Sequence, residues 1–177
     1  MKYMKGENYI THSYAVEAIM KGLAKRLAPD DVEYWGIVGL LHDLDEEQCD
    51  WQHDMSVHGP TSAEILKKEG IEDKVLFDAI CAHNPKSGVK AKTTLQYAIL
   101  AADPMSGFVK AVAQIYPDKK IASVKHKSVM KRFNELRFAA GANRDYMESI
   151  EFTGLSLDDL IDVALEEMGA ISDVLGL

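Results

Sequence analysis

His42 and Asp43 stand side by side at the end of an apolar run, Leu40-Leu41, and are followed by Leu44 and the acids Asp45, Glu46 and Glu47. Imidazole and carboxylate together suit borderline and hard divalent ions. Neighbouring residues on a helix point about 100° apart, so both can reach one ion only if it sits at a helix edge or end. Four more such groups, His12, His58, His83 and Asp103, each interrupt or close an apolar pattern. Each alone has a plainer explanation. His12 suits an exposed helix start, His58 before Gly59-Pro60 a turn, His83 a helix C-terminal dipole, and Asp103 before Pro104 a turn. Together, the plain explanations require several coincidences at helix ends that can meet. His53 and His126 fit no apolar face and are read as solvent residues.

Six ligands exceed the four of a structural zinc site. They fit two divalent ions of iron, manganese, cobalt, nickel or zinc, with an aspartate able to bridge. Such a pair can share a hydroxide and hold phosphate oxygens, which points to phosphoester hydrolysis.

The elements that must position these residues are read as helices. Val16, Ile19, Met20, Leu23 and Leu27 recur at helical steps, and this helix is expected from near Thr11 with His12 in its first turn. Pro29-Asp30-Asp31 restarts the chain, with Asp30 or Asp31 as N-cap. The second helix turns Val32, Trp35, Val38 and Leu41 or His42 inward, and Gly36 and Gly39 permit close approach of a neighbour. From Asp45 to Ser56 the pattern stops, and a loop over the site is expected. Helix three opens at His58-Gly59-Pro60 and ends at Gly70. Helix four starts near Glu72 and is stopped by Asn84-Pro85, which puts His83 on its last turn. Helix five starts near Thr93 or Thr94, and Pro104 predicts a kink or break at Asp103. Val129, Met130, Phe133, Leu136 and Phe138 mark another helix closed by Gly141. A last amphipathic helix follows Ser156, with Asp159 completing a capping box. No alternating strand pattern is present. The expectation is an all-α single domain over 1–177, its metal-binding core at about 10–110 and its C-terminal helices, about 123–175, packed on that core.

The 177 residues suffice for one full hydrophobic core. Twenty-eight acids against 20 lysines and arginines give a net charge of -8, which argues against a non-specific nucleic-acid binder. No apolar run approaches a membrane span, and the first ten residues lack a secretory apolar core. Two cysteines, Cys49 and Cys81, make neither a disulfide framework nor a thiolate cluster, and Cys81 is read as a small buried residue. A cytoplasmic protein with no membrane partner is expected.

The ordered set His12, His42-Asp43, His58-Gly59, His83 and Asp103 in Ala101-Ala102-Asp103 resembles the HD superfamily of metal-dependent phosphohydrolases, in the H…HD…H…H…D version associated with dinuclear sites. The match covers roughly residues 10–110. It implies an all-α bundle. It also implies that His12, His42, Asp43 and Asp103 hold one metal, that Asp43 bridges, and that His58 and His83 hold the second. The tail from Lys131-Arg132-Phe133 to Asn143-Arg144 resembles a subgroup of predicted HD hydrolases. Other subfamilies match less well. His83-Asn84-Pro85-Lys86 lacks the Gly-Tyr-Pro signature of the cyclic-dinucleotide phosphodiesterases, and Leu44-Asp45-Glu46 replaces their Ile-Gly-Lys. The His58-Gly59-Pro60 segment is similar to HD-type dinucleoside tetraphosphate hydrolases. His42 to Glu47 resembles the HDxxED motif of alarmone hydrolases, which lack the two extra histidines.

The expected substrate is a nucleotide or another small phosphoester. Asp43 and Glu46 are the candidate catalytic residues, with Glu46 orienting water or moving a proton. Lys86, Lys90, Lys131 and Arg144 are the candidate phosphate-binding groups. Two other classes share the ligand set: a di-iron oxygenase, and a module that binds nucleotide without turnover.

Overall fold

A computed structural model describes residues 2–177. Among these, every regular element is helical and no strand occurs. The α-helices are α1 (Glu7–Leu27), α2 (Val32–Leu41), α3 (Pro60–Lys68), α4 (Lys74–His83), α5 (Thr94–Gln114), α6 (His126–Phe133), α7 (Arg144–Glu148), α8 (Leu157–Ala170) and α9 (Ser172–Leu175). No helix is long and apolar enough to cross a membrane among the described residues.

α5 is apolar on nearly every side, and Ala98 to Ala102 are all buried, as a helix enclosed by others must be. It packs against α1, α4, α7 and α8, and α8 lies across α1. Ile19, Leu23, Ile99, Phe108 and Leu160 are fully buried at these junctions. Each such side chain contributes about 1.5–3 kcal/mol by leaving water. α1 and α2 run close together because glycines face α1. A Cβ on Gly39 would lie 2.9 Å from the Val16 carbonyl and 3.0 Å from Glu17 Cα. Thr93 with Gln96, and Ser156 with Asp159, form capping boxes at the starts of α5 and α8.

Four expectations are corrected. α1 begins at Glu7 rather than Thr11, because the Glu47 carboxylate accepts the backbone N–H groups of Lys5 and Gly6 and secures the chain entering the helix. His12 is therefore in the second turn. Asp31 occupies the N-cap of α2, but its side chain makes no capping bond. α5 runs unbroken through Pro104. The missing N–H leaves the Leu100 carbonyl without its helical donor, but Met105, Phe108 and Val109 are fully buried just beyond it and hold the helix on course. α6 ends at Phe133, and the chain from 134 to 143 is a series of turns with Leu136 77% exposed. Asn134 closes α6 by donating its side-chain amide to the Met130 carbonyl.

Candidate metal centre

The six predicted ligands come from five places in the chain and meet at one point. His12 projects from the second turn of α1. His42 and Asp43 follow α2 directly. His58 precedes α3, His83 is the last residue of α4, and Asp103 lies mid-way along α5. Gly59, at φ +90°, makes the turn into α3 that leaves room for the end of α4. A Cβ there would lie 3.2 Å from the Ile80 carbonyl and 3.5 Å from the His83 ring.

Each of the four imidazoles is held by Nδ1, so that Nε2 faces the centre. His42 Nδ1 donates to the Gly39 carbonyl at 2.7 Å. His83 Nδ1 donates to the Ile80 carbonyl. His58 Nδ1 donates to Asp45 Oδ1 at 2.9 Å. His12 Nδ1 donates to Ser106 Oγ at 3.0 Å, while that hydroxyl donates to the Asp103 carbonyl at 2.9 Å. Fixing the proton on one ring nitrogen dedicates the lone pair of the other to an electrophile.

The Nε2 atoms surround the Asp43 carboxylate. Oδ2 lies 3.3 Å from His12. Oδ1 lies 3.1 Å from His42, 3.3 Å from His58 and 3.4 Å from His83. Asp103 Oδ1 is 3.2 Å from His12 and 3.9 Å from His42. Two ligand triads result, His12/His42/Asp103 and His42/Asp43/His83, each with donor atoms within 4.8 Å of one another. His42 belongs to both. His58 joins the second through His83, their Nε2 atoms being 2.9 Å apart. His42 Nε2 and Asp43 Oδ1 are buried without a hydrogen-bond partner. A buried polar atom without a partner costs roughly 1–3 kcal/mol unless something satisfies it. Oxygen and imidazole donors around such atoms suit divalent cations.

The electrostatics agree. Burial disfavours a charge on His12, but hydrogen bonds with Asp103 and Asp43 outweigh it and push its pKa up to about 9. Burial likewise opposes charge on His58, and Asp43 and Asp45 push it up to about 10. His42 is raised well above the ordinary histidine value, its burial outweighed by the adjacent Asp43 charge. Burial, with the charges of His42 and His58, drives His83 down to about 4. Asp43 is buried and Asp103 half-buried, yet their histidine neighbours hold both below the usual carboxylate range. Without metal, protons occupy the positions that cations would take. The protonated His58 donates to the facing Nε2 of His83, a contact that two bare lone pairs would not make.

Asp45 is the residue that the sequence reading missed. The sequence pattern puts it in a loop over the site, yet it is fully buried beneath the cluster. Besides His58, it accepts the backbone N–H groups of Gly59 at 2.7 Å and Ser62 at 3.1 Å through Oδ2. One carboxylate thus orients a ligand and caps α3. Its only sequence signal is its place two residues after Asp43. Glu46 carries a buried Oε2 without a partner. Burial first, and the nearby Asp43 charge second, raise its pKa to about 7.

The cluster opens into a cleft of about 480 Å³, the size of a small-molecule site. His12, His58, His83 and Asp103 lie on its wall, with Met55 from the loop after Asp45. The far wall comes from the C-terminal region: Ala139, Gly141, Ala142, Asn143 and Tyr146. None of the four expected phosphate-binding cations lines it. Lys86 and Lys90 are exposed outside the lining, and Lys131 faces a different groove beside Val112 and Tyr116. Arg144 is withdrawn as a phosphate ligand, because its guanidinium is spent on main-chain carbonyls of the 133–142 segment. His53 pairs with Asp50, and His126 with Asp158 and Asp162, away from the centre. Neither cysteine belongs to a ligand group.

The HD domain family model matches residues 9–124, two thirds of the chain and all six clustered residues. The chain belongs to the HD domain family. The matched region ends before the far wall of the cleft, which comes from the turns at 139–143 and from Tyr146 in α7. No curated protein and no solved structure matched the chain.

Proposed function

We propose that this HD domain protein is a metal-dependent phosphohydrolase acting on a nucleotide or other small phosphoester. The observation that carries the reading is the common posture of four imidazoles, each tied at Nδ1 and aimed by Nε2 at Asp43, whose Oδ1 is buried without a donor. His12, His42 and Asp103 would hold one divalent ion, His58 and His83 a second, and Asp43 would serve both. When bound, such ions supply Lewis acidity, acidifying water and neutralising phosphoryl oxygens.

The chain's residues do the remaining work. Asp45, Ser106 and the Gly39 and Ile80 carbonyls keep the rings from turning, which fixes the reacting groups before substrate arrives. Glu46 is the proposed proton carrier. Water added to phosphorus must lose a proton and the departing oxygen must gain one, and a carboxyl poised near neutrality can exchange it at Oε2. The net charge of -8 favours a small ester over a phosphate polymer.

The test is hydrolysis of a phosphoester panel by protein reconstituted with manganese or iron, alongside Asp43→Ala. Release of phosphate or nucleotide by the wild type, lost together with bound metal in the variant, supports the proposal. Oxygen uptake by the iron form without ester hydrolysis would replace it with an oxygenase. Full activity in Asp43→Ala would end it.

A further inference from the structure

The two walls of the cleft differ in character. The wall bearing the His and Asp cluster is polar and charged. The opposite wall, from beyond the family match, is made of Ala139, Gly141, Ala142, Asn143 and Tyr146. Among the described residues, no lysine or arginine lines the cleft. Arg144 sits in the middle of that segment and faces away. Its guanidinium donates to the carbonyls of Phe133 (3.4 Å), Phe138 (2.5 Å), Ala139 (2.8 Å) and Ala142 (2.6 Å). It also lies 4.5 Å from the Phe108 ring centre on α5, the helix that carries Asp103. Ala139 takes a left-handed conformation, φ +42°, that few non-glycine residues adopt, and the Arg144 bond to its carbonyl holds it there. One side chain therefore shapes the wall and fixes its distance from the cluster.

The polar capacity left on the cleft surface is small and uncharged. Asn84 is spent: its amide donates to the Met55 and His58 carbonyls, and its oxygen accepts the Lys86 N–H. Asn143 Oδ1 accepts the Tyr146 N–H, which leaves its NH2 group free. The Tyr146 hydroxyl has no partner among the described residues. A phosphate placed on this wall would meet alanine, glycine and neutral donors with no cation, and desolvating an uncompensated charge is costly.

Resting on the phosphohydrolase reading, we propose that the 134–148 segment selects the substrate. It admits esters with a single phosphoryl group, read on the uncharged polar remainder by the Tyr146 hydroxyl and Asn143 amide. Arg144 is the residue that positions this wall. A nucleoside monophosphate fits this class, and nucleoside di- and triphosphates do not.

The test is binding, independent of turnover. Metal-loaded protein is titrated by calorimetry with the phosphonate analogue of adenosine monophosphate and with methylene-bridged di- and triphosphate analogues. The monophosphate analogue is expected to bind at least about tenfold more tightly than the others, a difference of about 1.4 kcal/mol. Tyr146→Phe should weaken the monophosphate analogue more than inorganic phosphate, which has no remainder to read. Arg144→Lys cannot span four carbonyls, and it should raise KM or Kd about tenfold with metal content unchanged and kcat less affected. Equal or tighter binding of the polyphosphates, or a Tyr146→Phe effect equal on both ligands, would overturn the inference. An Arg144→Lys protein that lost thermal stability but kept its affinity would remove the positioning role. Absence of hydrolysis for every ester would refute the phosphohydrolase reading alone, because the binding order would still decide the selectivity.

Discussion

Replacing Asp45 by Asn separates the ligand-orienting role of this carboxylate from its capping role. Its Oδ2 accepts two backbone N–H groups, and its Oδ1 accepts the ring proton of His58. Asparagine has one acceptor. With its oxygen toward Gly59 and Ser62, both backbone bonds survive in neutral form. The alternative sets an NH2 against two N–H donors and is excluded. The amide must then face His58 Nδ1, which can meet it only by giving up its proton. The imidazole shifts to the other tautomer, with hydrogen on Nε2, aimed at Asp43 Oδ1 (3.3 Å) and His83 Nε2 (2.9 Å). The lone pair meant for an ion disappears while the fold stays. Converting two charge-assisted bonds to neutral ones costs about 1–2 kcal/mol. At about 2–4 °C per kcal/mol for a chain of this size, Tm should fall by roughly 2–8 °C. Affinity for one of the two ions should fall about 10–100-fold, as it does when the partner of a ligand is lost. Metal titration by calorimetry and thermal melting by circular dichroism read the two effects separately. Asp45→Ala is the control. It strips the acceptor from three buried donors, at a cost on the order of several kcal/mol, and should fail in stability first. An Asp45→Asn protein that bound both ions with unchanged affinity would refute the reasoning.

Three further outcomes follow. Glu46→Gln should leave metal content intact and lower kcat about 10²–10⁴-fold, flattening the pH–rate profile near neutrality; an unchanged kcat would remove Glu46 from the chemistry. Gly39→Ala should destabilise by about 1–3 kcal/mol, the reverse of the usual helical preference for alanine, because the new Cβ meets the α1 backbone at 2.9–3.0 Å; an unchanged melting temperature would sink it. His12 and His58 have native pKa values raised to about 9 and 10. Their contribution to metal-free stability is thus full below the ordinary histidine value and lost as pH rises through 9–10. Metal must displace those protons and the one on His42. Loading at pH 7 should therefore release up to about three protons and tighten with rising pH, as calorimetry in buffers of different ionisation enthalpy will show. No proton release would mean that these histidines are not ligands.

The convergence of the six residues could be read from the sequence because few side-chain types suit a divalent ion and because prolines and glycines mark the helix ends that carry them. Pro60 and Gly59 locate His58, and Pro85 locates His83. What holds the ligands in place could not be read. The Gly39 and Ile80 carbonyls have no sequence signature, and Asp45 is hidden in a run of acids that resembles a solvated loop. The start of α1 is set by Glu47, 41 positions from the Gly6 it caps. Pro104 misled because local propensity cannot weigh the fully buried neighbours that keep α5 straight. The cations failed for another reason. Lysines beside a ligand in sequence turned out to be exposed, and the arginine expected to meet phosphate meets main-chain carbonyls. The far wall of the cleft carries small and neutral residues that no motif marks.

The central claim is that the four histidines and two aspartates form one dinuclear centre. Elemental analysis of the anaerobically purified protein, repeated after reconstitution, tests it most directly. The account predicts about two equivalents of a first-row divalent metal per chain, falling to about one or less in His58→Ala and in His83→Ala. One equivalent in the wild type, unchanged when either histidine is removed, would contradict it.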